Sequence, residues 1–178
     1  MKYTIIALLI ITLTACSGSD GETPGSKPEL GTSPEITATI SSYTITGTDT
    51  HTPPNPAPID ANISSGNFII EWNANDAVGN VGQTKLYLSA DDTLTTASDV
   101  EFFSSLCGIF NDCDENGDAA LGCTFTTANL LSCSTDPAID ITTFLTGLPM
   151  QAYIILEACK NPWLPADCVN QAAFVEFR

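Results

Sequence analysis

Four short segments decide what this chain can fold into: NFIIEWN (67–73), TKLYLS (84–89), AYIILEA (152–158) and AAFVEF (172–177). Each is rich in β-branched and aromatic residues, is too short for an independent helix, and is bounded by Gly, Asn, Asp or Pro. A further period-two pattern begins at Glu35, where Ile36, Ala38 and Ile40 alternate with polar residues and Tyr43 and Ile45 continue in shifted phase. That shift predicts a strand with a break at Ser41-Ser42. Ile139–Phe144 reads as another strand. THTPPNPAP (50–58) reads as a loop, because its prolines cannot serve a central sheet. Only VEFFSSLCGIF (100–110) suggests a helix, with Asp99 as its N-cap. Many strands without alternating helices predict an all-β, antiparallel sandwich.

The N-terminus is MKYTIIALLIITLTAC. Lys2 precedes an apolar run, Ile5 to Leu13, that is too short to span a bilayer. It ends in Leu13-Thr14-Ala15-Cys16. This resembles a bacterial lipoprotein signal with its lipobox. The resemblance implies cleavage after residue 15, acylation of Cys16, and anchoring to membrane lipid through several acyl chains. Ser17 after the cysteine, by the same resemblance to enterobacterial lipoproteins, implies the outer membrane of a bacterial envelope. Residues 16–34 then form a lipidated, flexible tether of Gly, Ser, Pro and Glu. Residues 35–178 form the sandwich domain, with a Cys-rich insertion at about 94–138.

The chain has 5 Lys and Arg against 21 Asp and Glu, a formal charge of −16. Loss of Lys2 on cleavage takes this to −17. Such a surface repels nucleic acid and anionic headgroups. Of 7 cysteines, Cys16 belongs to the lipid anchor and six remain. An even number in an exported chain reads as three disulfides. Local pairing is expected: Cys159–Cys168 closing the last hairpin, Cys123–Cys133 across a hairpin turning near Thr127-Ala128-Asn129, and Cys107–Cys113. A Cys113–Cys123 bridge is the open alternative for the acidic loop. Zinc is disfavoured, since there is no CxxC and the single histidine, His51, lies in the Pro-rich loop.

Trp72 closing an apolar strand, TKLYLSADDT (84–93), and ITTFLTGLPMQAYIILEA (141–158) together resemble a fibronectin type III or related immunoglobulin-like domain. The resemblance implies that Trp72 and Leu148 fill the space between two sheets. It also implies that Tyr153 pins a loop as a tyrosine corner. SADDTLTTASDV (89–100) is similar to a turn of bacterial adhesion-type immunoglobulin-like modules. The family is mostly a binding or spacer scaffold and implies no catalytic residues.

Two surfaces are candidates for binding. In DCDENGDAALGC (112–123), Asp112, Asp114 and Asn116 alternate before Gly117, and Asp118 follows. This matches the first half of a Ca²⁺ loop, whose side-chain oxygens converge on one cation. The twelfth position is Cys123 rather than a bidentate Glu, so a plain solvated turn is the heavier reading. Trp163 and Leu164 sit between prolines inside the expected Cys159–Cys168 loop. A stiff exposed aromatic suits capture of a protein or glycan, although folding back over the sandwich end is favoured. Asp91, Asp92, Asp99 and Glu101 read as turn chemistry, and His51 has no nucleophile beside it. The expectation is a non-catalytic, membrane-anchored interaction module, with a structural spacer or assembly subunit of the envelope as the alternative.

Overall fold

Strand β1, Thr39–Thr46, pairs antiparallel with β3, Asn67–Asp76, and the pairing slips between Ile40 and Ser42. This bulge accounts for the phase shift in the sequence. One extra residue lets Ala38 on one side and Tyr43 and Ile45 on the other all turn inward. Ser41 is the residue displaced, and its hydroxyl reaches the side chain and carbonyl of Asn73. A computed structural model describes residues 38–52, 54–76, 79–106, 120–134, 136–161 and 167–178. All of these belong to the unit Pro34–Arg178.

The remaining strands are β2 (Ala57–Ile59), β4 (Gly79–Asn80), β5 (Gln83–Ser89), β6 (Val100–Leu106), β7 (Leu121–Phe125), β8 (Leu130–Cys133), β9 (Ile139–Asp140), β10 (Met150–Cys159) and β11 (Cys168–Phe177). They form two sheets. One runs β1-β3-β7-β8-β9, with β4 extending β3; the other runs β2-β11-β10-β5-β6. Every pairing is antiparallel except β2 with β11. The described part is all-β, with a 3₁₀ turn at Ser64–Gly66 before β3.

The inner faces of the two sheets make one core. Trp72 of β3 is fully buried and meets Phe103 of β6 edge-on, with centroids 6.1 Å apart. Phe125 of β7 meets Phe177 of β11 in the same way at 4.9 Å. Tyr43 is buried, and its hydroxyl crosses from one sheet to the other to donate to the Ile154 carbonyl at 2.9 Å.

The structure corrects several expectations. Residues 100–106 are strand, not helix: they pair with β5, and Phe102 and Phe103 are both buried. Tertiary pairing overrides a weak helical pattern here. Asp99 caps no helix; its carboxylate accepts the Thr95 N–H at 2.6 Å and closes the preceding turn. The strand at 139–144 lasts only two residues. Asp140 accepts the Thr142 N–H at 2.8 Å and the chain turns; hydrogen bonds from Thr142 also hold the Asp140 carboxyl below its ordinary pKa. The 50–58 loop ends in a strand after all, because Pro58 occupies an edge, where no donor is required. Leu148 does not fill the intersheet space; it follows the positive-φ Gly147 in a turn and is 47% exposed. Tyr153 lies on the outward face of its sheet and stacks on Phe174, and the hydroxyl that crosses between the sheets is that of Tyr43. Within 94–138, β6, β7 and β8 are integral members of the sheets.

Candidate functional site

Cys123 and Cys133 face each other in register across the β7–β8 hairpin and form a disulfide, Cα to Cα 4.0 Å. The turn between them uses a positive φ at Asn129, which tolerates it better than most residues. Cys159 and Cys168 pair in register at the end of β10 and β11 and form a second disulfide with the same Cα separation. The Glu157 carboxylate lies near both of these sulfurs. It forms no metal site with them, because the sulfurs are bonded to each other and offer no thiolate.

The other residues singled out from sequence, Cys16, the Cys107–Cys113 pair, Asp112, Asp114, Asn116, Asp118, Trp163 and Leu164, lie outside the described residues. The described residues present two other features.

The first surrounds the loop after β1. His51 lines a cleft of about 300 Å³ with Tyr43, Pro54, Asn55 and Phe174. It also lines a neighbouring cleft of about 400 Å³ with Asp49, Gln151, Glu176 and Arg178. In the second cleft the Arg178 Nε donates to Glu176 at 2.5 Å, so the guanidinium and carboxylate are occupied by each other.

The second is the outward face of the β2-β11-β10-β5-β6 sheet. Strand alternation sends Ala152, Ile154, Leu156 and Ala158 of β10 into the core, and Tyr153, Ile155 and Glu157 outward. In register beside them lie Phe174 and Ala172 of β11 and Tyr87 and Lys85 of β5. Tyr153 and Phe174 stack at 5.1 Å with their planes 27° apart, and both are half-buried. Ile155 and Tyr87 are buried although they point away from the core. The Tyr87 hydroxyl donates to Glu157 at 3.4 Å, and Lys85 pairs with Glu101 at 3.0 Å. Burial, then the charges of Glu157 and Glu101, push the Tyr87 phenol far above its ordinary pKa.

Sequence reading separates Tyr153, Ile155 and Glu157 from Ile154, Leu156 and Ala158 as two faces but does not single out the first for binding. Its signal was present in AYIILEA and AAFVEF: aromatics at Tyr153 and Phe174 stand out of phase with the inward residues Ile154 and Ala173. A strand packed on one side only has polar residues in those positions.

Fold and surface together define a disulfide-stapled domain of two packed β-sheets that carries an aromatic outer face. Compared with protein-family models, with curated proteins and with solved structures, the chain matches none.

Proposed function

We propose that the chain is a membrane-anchored extracytoplasmic lipoprotein of the bacterial envelope whose fibronectin type III-like sandwich is a non-catalytic binding module. The observation that carries the binding role is the half-buried Tyr153–Phe174 stack on a sheet face otherwise flanked by charged side chains. Rigid aromatic surface of this kind loses little conformational entropy on contact. The two disulfides support an oxidising compartment outside the cytoplasm. The lipobox Leu13-Thr14-Ala15-Cys16 supports the anchor. Strand order supports the family resemblance: β1, β3 and β7 sit together, opposite β11, β10, β5 and β6, with Trp72 buried on β3. Relative to that scheme, β8 and β9 are additions to one edge.

Crosslinking in intact cells followed by affinity capture tests the binding role. The wild type is expected to retain a partner that the double variant Tyr153→Ser, Phe174→Ser loses while keeping its melting temperature. Identical capture by both would sink the reading. Cys16→Ser is expected to release the chain from the membrane fraction.

One observation favours the spacer or assembly alternative. Strand β6 is an edge of its sheet, and Leu106 at its end is 66% exposed. Unprotected edges invite pairing with another chain. Concentration-dependent self-association in sedimentation, lost on Leu106→Lys, would support that alternative.

A further inference from the structure

On the outer face of the β2-β11-β10-β5-β6 sheet, Tyr87 and Ile155 are buried, and the half-exposed Tyr153–Phe174 stack stands beside them within an outer rim. The rim is acidic. Glu101 and Glu157 flank Tyr87, and Glu176 lies one step beyond Phe174 on β11. The cations on the sheet do not balance them. Lys85 is engaged by Glu101 and Arg178 by Glu176, whereas Glu157 receives only the long bond from Tyr87 among the described contacts.

We infer that this face docks an extended cationic segment of a partner polypeptide, with one arginine or lysine side chain laid over the Tyr153–Phe174 stack and a second, further along β10, reaching Glu157. The inference rests on the binding-module reading and adds the partner's chemistry. Aromatic faces carry a negative quadrupole that attracts guanidinium and ammonium groups. Glu157 stands four residues along β10 from Tyr153, about 13 Å away, and offers a second cationic side chain a charge-assisted hydrogen bond. The formal charge of −16 on the whole chain selects against an anionic occupant and speeds encounter with a cationic one.

The test uses the full-length chain and a fluorescent octapeptide of alternating Arg and Ser, followed by anisotropy at low and physiological salt. A neutral hexasaccharide serves as the competing probe. The expected result is saturable peptide binding that weakens about tenfold in Glu157→Gln and in Tyr153→Ser, Phe174→Ser. Glu71→Gln removes an equal charge from β3 in the opposite sheet and is expected to leave binding within about twofold. Melting temperatures establish that each variant folds, and the conservative Glu157→Gln keeps the test informative if the double variant does not. Equal losses in Glu157→Gln and Glu71→Gln would reduce the effect to bulk attraction and overturn the inference. Binding of the hexasaccharide in place of the peptide, or of neither probe, overturns it as well. If capture from cells still depends on Tyr153 and Phe174 while the peptide does not bind, the cationic assignment fails and the binding module stands. If capture is independent of these residues too, both fail.

Discussion

Tyr43 hydrogen-bonds one sheet to the other through its hydroxyl on the Ile154 carbonyl. Tyr43→Phe removes this bond between the sheets and is expected to cost about 1 kcal/mol in urea unfolding at neutral pH. Burial raises the Tyr43 pKa, and burial with two carboxylates raises that of Tyr87. Both folded-state values lie above the unfolded ones, so their stabilising contribution is complete below about pH 10 and is lost as pH rises beyond it. Urea midpoints are therefore expected to fall steeply above about pH 10, and less steeply in Tyr87→Phe. Thr84 supplies the opposite case. It is buried on β5 and its hydroxyl has no hydrogen-bond partner. Thr84→Val keeps the shape, removes the orphan group and is expected to stabilise by about 1 kcal/mol. Trp72 as an intersheet residue was legible, because a large apolar ring closing NFIIEW has nowhere else to go. The hydrogen bond of Tyr43 across the sheets was not. Alternation gives two faces to a strand, but only the neighbouring sheet says which face is inside.

At the level of elements, hairpin geometry carried the most information. Cys123 and Cys133 are equidistant from Ala128, and Cys159 and Cys168 end and begin consecutive strands, so each pair falls in register once the hairpin forms. Replacing Cys123 and Cys133 together by Ala is expected to lower stability by about 2–3 kcal/mol, measured as a shift in urea midpoint at constant slope. The 3₁₀ turn before β3 is as demanding as either staple. Gly66 has φ +73°, and a Cβ there would stand 1.8 Å from the Phe125 carbonyl oxygen. Gly66→Ala is expected to cost at least about 2 kcal/mol by the same measurement, because backbone rather than a flexible side chain must yield. Elements that depend on a distant partner were the ones misread. Strand β2 is three residues long, contains Pro58 and exists because β11 lies beside it. Strand β6 exists because β5 offers an edge. Neither partner is visible in the local pattern.

For the molecule as a whole, the same connectivity sets how load passes through the described unit. The chain leaves β1 in one sheet and enters β2 in the other within about a dozen residues, fastened on the way by Thr48 N–H to the Pro58 carbonyl at 2.8 Å. Strand β2 runs parallel to β11, the last strand. Pulled toward its start while β11 is pulled toward its end, β2 slides along its neighbour, and the bonds between them are loaded together rather than opened one at a time. An antiparallel pair pulled apart from its open end would unzip. Load applied between Ala38 and Arg178 therefore falls on two kinds of joint in turn, the antiparallel β1–β3 pair and then the parallel β2–β11 pair that resists by shear.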